Sequence, residues 1–153
     1  SSRPIYRHGH VFVFSGMGSM SAIRPGGNGD VDDTHVTWSR RKVVPKKSSP
    51  LLIGDFLFMV SDEGIASCSN PLTGEVIWAE RLKIKGQCAS SPIHASGRIY
   101  SFSSAGDCIV FKAEKNGLNI LAHNRLPNGC MASPAVVGDS ILVRTKDSLY
   151  RFE

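Results

Sequence analysis

The stretches CASSP (residues 88–92) and CMASP (residues 130–134) are near copies of one another, 42 residues apart. Four prolines keep the same phase, at intervals of 46, 42 and 42 residues: Pro4, Pro50, Pro92 and Pro134. Each proline opens a short apolar segment that ends in a turn, written PIYRHG, PLLIGD, PIHASG and PAVVGD. A motif that recurs at a nearly constant period indicates a repeat architecture.

Further strand signals follow each of these segments. The next segment is rich in β-branched and aromatic residues in every repeat (HVFVFS, FLFMVS, RIYSFS, SILVRT), and a tight connection and a third strand come after it. A fourth strand is indicated by THVTWSR, EVIWAERL and LNILAHNRL. No segment has a convincing helical period. We therefore predict an all-β chain whose repeats are β-propeller blades of four antiparallel strands. A β-sandwich is the rival, but it does not require one phrase at a constant period.

The repeat boundaries predict one partial propeller domain over residues 1–153, with repeats at about 1–45, 46–87, 88–131 and 132–153. The last repeat stops after its third strand, which gives about 3.75 blades of the usual four-stranded kind. An arc of that length leaves blade faces and a strand edge exposed. We expect a fragment of a longer chain, or a protein partner or self-association that completes the propeller. The opening SSRP has no initiator Met, which also favours a processed chain or a fragment.

Two long phrases carry a family resemblance. SSPLLIGDFLFMVSDEGIASCSNPLTGEVIW (residues 48–78) and SSPIHASGRIYSFSSAGDCIVFKA (residues 90–113) resemble the PQQ-like β-propeller repeat. That family includes quinoprotein dehydrogenases and non-catalytic assembly or scaffold proteins of the bacterial envelope, the outer-membrane assembly lipoprotein among them. The resemblance implies a non-catalytic protein-interaction or scaffold platform in an exported bacterial protein, periplasmic or secreted. The alternative is the C-terminal portion of a PQQ-dependent dehydrogenase whose catalytic residues lie outside this chain.

The resemblance also implies which residues a catalytic member of the family would need. Family enzymes hold the quinone in the central channel with a Ca²⁺ bound by Glu, Asn and Asp, and stack it between a Trp and an adjacent Cys-Cys disulfide. This sequence has no adjacent cysteine pair, and Trp38 and Trp78 fall in outermost strands, where we expect them to pack one blade against the next. His94 is predicted on an inner strand as a structural or channel-lining residue. We therefore predict no catalytic residues, no enzymatic activity and no cofactor; the alternative is PQQ with calcium.

The cysteines and a Gly-rich insertion are the remaining candidates for metal binding. The cysteine spacings match no zinc site, and Cys68 and Cys108 are predicted to be free, buried packing residues. The segment IRPGGNGDVDDTHVTW (residues 23–38) carries about six more residues than its counterparts. Its Asp30, Asp32 and Asp33 are candidate calcium ligands, because hard cations prefer clustered oxygen atoms. A purely structural turn explains the same segment.

The chain has 18 basic and 13 acidic residues and a net charge of +5. The basic residues in the connections between repeats are predicted on one face of the arc: Arg40, Arg41, Lys42, Lys46, Lys47, Arg81, Lys83 and Lys85. This face is either a solvated rim or a docking surface for an acidic protein or polymer. We do not expect nucleic acid as a partner, because no aromatic residues are interleaved with the basic ones. We expect no membrane span, because the longest apolar segment, LLIGDFLFMV, is interrupted by Gly-Asp.

Overall fold

The computed structural model describes residues 2–153, whose strands form four separate antiparallel sheets. The elements in chain order are β1 (Ile5–Arg7), β2 (His10–Ser15), β3 (Ser19–Ile23), α1 (Asp32–His35), β4 (Val36–Arg40), β5 (Leu51–Ile53), β6 (Phe56–Val60), β7 (Ile65–Ser69), β8 (Val76–Arg81), β9 (Ile93–Ala95), β10 (Arg98–Phe102), β11 (Asp107–Lys112), β12 (Ile120–Arg125), β13 (Ala135–Val137), β14 (Ser140–Arg144) and β15 (Leu149–Phe152). Strands that are neighbours in sequence are neighbours in each sheet, and the sheets are β1-β2-β3-β4, β5-β6-β7-β8, β9-β10-β11-β12 and β13-β14-β15. The predicted all-β class and blade-like sheets are confirmed.

The hydrophobic core lies between sheets rather than within any one of them. A cluster around Phe12 and Leu57 joins the first two blades. A cluster around Phe58 and Ile109 joins the second and third, and one around Val110 and Val143 joins the third and fourth. Alternate residues of a strand point to opposite faces of its sheet, so each middle blade contributes to two of these clusters.

The residues before the prolines link the blades through a repeated hydrogen bond. The backbone N–H of Arg3 donates to Ser49 Oγ at 3.0 Å, that of Ser49 to Ser91 Oγ at 2.9 Å, and that of Ser91 to Ser133 Oγ at 2.9 Å. Proline cannot donate a backbone hydrogen bond, so the residue before it supplies the donor at this junction. The repeated Ser-Pro phrase is therefore the place where each blade is bonded to the next.

A second serine in the motif bonds within its own blade, and the fourth blade replaces it with a thiol. Ser48 Oγ donates to the Val60 carbonyl at 2.9 Å, and Ser90 Oγ donates to the Phe102 carbonyl at 3.0 Å. The fourth repeat has Ala132 at this position. There the single S–H of Cys130 has two acceptors within reach, the Ala132 carbonyl at 3.1 Å and the equivalent carbonyl, that of Arg144, at 3.4 Å. The thiol thus lies beside the carbonyl that a serine hydroxyl bonds in the second and third blades.

Trp38 on β4 and Trp78 on β8 lie between blades, and each donates its indole N–H to the following blade. Trp38 Nε1 donates to the Pro71 carbonyl at 2.9 Å, and Trp78 Nε1 donates to the Glu114 carbonyl at 3.2 Å. A side chain on Gly74 would collide with the Trp38 ring. Glycine is therefore required in that turn by the indole as well as by its φ of 74°.

The Gly-rich insertion differs from the sequence expectation, because it contains the short helix α1. The Asp30 carboxylate accepts the N–H of Asp32 at 3.1 Å, and the Val31 carbonyl accepts the N–H of His35 at 2.9 Å. The His35 ring packs against Gly27 so closely that a Cβ there would collide with it. A single helical turn is too short to show a helical period in the sequence, which is why the prediction missed it.

Replacing Trp78 with Ala should lower the free energy of unfolding by about 3 kcal/mol, since the change removes a large ring from between two blades. The Trp78→Phe variant keeps a smaller ring there and loses the bond to the Glu114 carbonyl, so its cost should be intermediate, about 1–2 kcal/mol. Urea denaturation of both variants measures the difference. A loss under about 1 kcal/mol for Trp78→Ala would contradict this packing, because core truncations of this size cost more.

Candidate functional site

Segments that join successive blades run over one face of the protein. The Lys46 side chain lies against Gly18, that of Ile84 lies against Gly64, and the Leu126 carbonyl lies against Gly106. Each of these glycines belongs to the turn between the second and third strand of a blade. We call this surface the connection face; it consists of segments 41–49, 82–91 and 126–133 and turns 15–18, 61–64, 103–106 and 145–148.

Basic residues dominate the exposed charge of the connection face. They are Arg41, Lys42, Lys46, Lys47, Lys83, Lys85 and Lys146, with Arg81, Arg125 and Arg144 at the adjoining strand ends. Its exposed acidic residues are Glu63 and Asp147. The ion pairs among residues 2–153 are His8–Asp55, His123–Asp107 and Arg151–Glu153. None of them includes a basic residue of this face, and its basic residues outnumber its acidic ones, so the face has a net positive charge in the part of the chain described.

Arg40 does not belong to this exposed set, which corrects the sequence interpretation. Its guanidinium is turned between the first and second blades, where Nη1 donates to Ser69 Oγ at 3.0 Å and to the Gly74 carbonyl at 2.8 Å. Burial lowers the pKa of Arg40 from its usual value. Arg40 lies two residues after Trp38 and so shares its face of the sheet. That alternation was the signal in the sequence that could have placed it.

Two buried carboxylates that sequence reasoning did not single out anchor the basic segments. Asp62 Oδ1 accepts the backbone N–H of Lys46 at 3.1 Å and that of Lys47 at 3.3 Å. Asp107 Oδ2 accepts the N–H of Lys85 at 2.6 Å, and its Oδ1 lies 2.9 Å from His123 Nε2. These bonds fix the backbone of the lysines and leave their ammonium groups in solvent.

Opposing effects set the pKa of Asp107. Burial raises it, whereas the hydrogen bonds from the Lys85 backbone and from His123 lower it, as do the positive charges of His123 and Arg125; the net pKa lies below its usual value. The hydrogen bonds therefore outweigh desolvation, and the native state favours the carboxylate.

The first strand of each blade faces a common groove of about 460 Å³, lined by the Ser-Pro motifs together with Leu51, His94 and Val136. The strands β1, β5, β9 and β13 read IYR, LLI, IHA and AVV. They contain no carboxylate or carboxamide side chain. The imidazole of His94 is exposed there.

The outer side of the fourth blade is open. β15 pairs with β14 on one side, and within residues 2–153 no strand pairs with its other edge. Next to it lies a cavity of about 390 Å³ between the third and fourth blades, lined mainly by apolar side chains such as Val110, Ile141 and Phe152. Phe152 is 43% exposed. This edge and cavity form an apolar opening between adjacent blades.

A family model described as "Outer membrane protein assembly factor BamB" matches residues 1–80. This chain belongs to the BamB family of PQQ-like propeller proteins. The predicted resemblance is confirmed. A search of curated proteins returned no match.

Solved structures with the same fold differ widely in their roles. BamB from Moraxella catarrhalis has a TM-score of 0.74 at 14% identity, over 97% of this chain and 44% of that chain. A europium-containing methanol dehydrogenase has a TM-score of 0.59 at 12% identity, over 80% of this chain and 24% of that one. The computationally designed Ika4 protein has a TM-score of 0.68 at 9% identity, over 99% of this chain and 91% of that chain. Such identities show the fold alone, and this BamB-family chain spans less than half of the Moraxella protein.

The residues of this BamB-family chain do not fit the quinone site that related enzymes use. The groove-facing strands supply no Glu, Asn or Asp to bind Ca²⁺, and both tryptophans are held between blades by carbonyl bonds. The four cysteines are buried and free. Burial raises the pKa of Cys68 to about 11, and burial together with Cys130 raises that of Cys108 to about 12. Both thiols are therefore protonated near neutral pH, and neither is an activated nucleophile.

Asp30, Asp32 and Asp33 are exposed on the insertion, on the face opposite the connection face. Asp30 is engaged with the backbone of Asp32. In the described residues no group of three or more His, Cys, Asp or Glu side chains is arranged to hold a metal ion. Nor does this part of the chain have a helix that is long and apolar enough to cross a membrane.

We expect Ca²⁺ at about 1 mM, the affinity range of weak extracellular sites, to leave the melting temperature unchanged with or without PQQ. Desalting should then remove all quinone absorbance from the protein. A rise in melting temperature that Asp32→Ala abolishes would restore the calcium interpretation of the insertion. A retained chromophore would restore the quinone.

The Asp107→Asn variant should lose about 2 kcal/mol of stability near neutral pH, as expected for hydrogen bonds to a buried charged group. Because the native pKa of Asp107 lies below its unfolded value, its contribution is complete above the unfolded pKa and is lost as the pH falls through the native pKa. Urea titrations should therefore show a gap between wild type and variant that is full above about pH 5 and closes below about pH 4. A gap that is independent of pH would contradict this assignment.

Proposed function

We propose that this chain is a non-catalytic interaction module whose β15 edge docks the strand that completes the fourth blade. The strand comes from a protein partner, from a second copy of the chain, or from a further part of a longer protein to which this chain belongs. The proposal is carried by one observation: the unpaired edge of β15 lies beside the apolar cavity of about 390 Å³. An unpaired edge with apolar side chains is a template for strand addition.

Comparison of equivalent positions in the blades supports the docking role of this cavity. Trp38, Trp78 and Ala122 are equivalent, because they oppose Ala22, Cys68 and Val110 in register. The two indoles fill the space between successive blades, whereas the Ala122 methyl leaves it open. The space between the third and fourth blades therefore retains room for apolar side chains from a docked strand.

The residues beside Ala122 show the same difference. Arg40 and Glu80 each form a hydrogen bond with a turn of the next blade. Arg40 donates to the Gly74 carbonyl, and Glu80 Oε1 accepts the N–H of Leu118. Asn124, at the equivalent position, lines the cavity. Its side chain forms no hydrogen bond with another group among residues 2–153. A strand added to β15, together with its preceding turn, gives Asn124 the kind of partner that its equivalents have.

The family to which the chain belongs suggests where in the cell this docking takes place. We infer an exported bacterial protein that works in the periplasm as a scaffold or binding platform, as the assembly-factor description of the family suggests. We propose no reaction for this chain, because the groove-facing strands lack the ligands that the quinone chemistry of related enzymes needs. The module supplies rigid surfaces rather than a catalytic centre.

The chain should sediment at micromolar concentration as a compact dimer of twice its 16.6 kDa mass, because the open β15 edges of two copies can pair with each other. The Phe152→Lys variant places a charge at the edge and should sediment as a monomer.

The matched control is Leu72→Lys, since Leu72 is 50% exposed on the turn between β7 and β8, away from the edge. This variant should remain a dimer. A wild-type chain that is monomeric and melts cooperatively would exclude a second copy as the source of the strand. Equal dissociation of both variants would overturn the role of the β15 edge.

A further inference from the structure

The connection face carries exposed apolar residues as well as positive charge. Met17, at the tip of the turn between β2 and β3, is 91% exposed, and Met131, in the segment that leads to the fourth blade, is 64% exposed. Isolated exposed apolar residues are common on protein surfaces. These two are notable because of the residues beside them.

Each methionine shares a shallow cavity with two cations. Met17 lines a depression of about 170 Å³ with Arg41 and Lys46, and Glu63 contributes one carboxylate to the same depression. Met131 lines a depression of about 430 Å³ with Arg144 and Lys146. The same combination of one flexible apolar side chain and two basic side chains thus occurs at the first and at the last interblade segment of the face.

The backbone holds the first of these groups in an unfavourable conformation. Val43, between Arg41 and Lys46, has a φ of 56°, in the left-handed region that β-branched residues rarely adopt. The N–H of Lys46 is fixed by buried Asp62. Strain of this kind persists where the surroundings impose it, often at binding surfaces.

We propose that the connection face binds an anionic membrane surface, with Met17 and Met131 inserted at the level of the lipid headgroups and the surrounding Arg and Lys side chains paired with lipid phosphates. Interfacial binding combines apolar side chains with basic residues that are attracted to anionic lipid. An acidic polypeptide would also be attracted to the charge, but a flexible polyanion without apolar side chains would gain nothing from the two methionines, so the methionine variants distinguish the two partners.

This proposal is independent of the docking role of β15. The β15 edge lies on the rim of the fourth blade, whereas the connection face consists of loops at one end of all four blades. Completing a blade leaves that face in solvent. A dimer would present two such faces and bind more tightly through multivalency.

The test is co-sedimentation of the full 153-residue chain with vesicles of phosphatidylcholine and phosphatidylglycerol. We expect binding to the anionic vesicles that weakens as salt is raised, and little binding to pure phosphatidylcholine. The double variant Arg41→Glu, Lys146→Glu should reduce the partition coefficient at least about twentyfold, since each basic residue near the surface contributes about fivefold.

The matched charge control is Lys112→Glu, Lys115→Glu on the opposite face, which changes the net charge by the same amount and should bind nearly as wild type does. The apolar pair is Met17→Ser, Met131→Ser, which should weaken binding at every salt concentration, with Leu72→Ser as its control. Thermal melts of all variants report whether each remains folded.

Three results would overturn the proposal. They are an absence of binding to anionic vesicles at low salt, equal losses in the two charge variants, and binding to polyglutamate that matches vesicle binding and ignores the methionine changes. The last result would assign the face to an acidic polypeptide instead.

Discussion

Each blade of this protein can bury its apolar faces only against another blade. Phe12 and Ile99 are fully buried, yet neither would be so in an isolated four-stranded sheet, because their contacts come from the neighbouring sheet. A single sheet of this size has two apolar faces and no layer to cover them. Stability therefore depends on the number of blade interfaces formed, and the two outer faces of the series remain to be covered.

Polar bonds between the blades follow from the same constraint. The hydrogen bonds among Arg3, Ser49, Ser91 and Ser133 repeat the same contact at each interface, so every blade is fixed at the same position relative to the next. Bonds made by the outer strands are not uniform, since Arg40, Glu80 and Asn124 are chemically different. A contact that repeats at each interface needs the same residues each time, whereas the outer contacts use different residues. The Ser-Pro phrase is therefore visible in the sequence, and the outer contacts are not.

Sequence reasoning identified the strands, the blade content and the interblade position of both tryptophans, because each rests on a local pattern with a fixed period. The misplacement of Arg40 came from treating a run of basic residues as one class, although the alternation from Trp38 separates it from Arg41. The anchoring roles of Asp62 and Asp107 were not predictable, because each depends on which segment crosses above it. The thiol of Cys130 in place of a serine hydroxyl was also beyond prediction, since it depends on the spatial position of the Arg144 carbonyl.

Repetition also explains how a modest net charge becomes a charged surface. Every interblade segment must cross at the same end of its blade, so basic residues that are tens of positions apart in sequence, such as Arg41, Lys83 and Lys146, lie on one face. The +5 charge would have little effect if it were spread evenly over the protein. Here the charge is concentrated on the connection face, where buried carboxylates hold the backbone of several loops. The connection face and the β15 edge do not overlap. A strand can therefore be added at the β15 edge while the connection face remains available for binding.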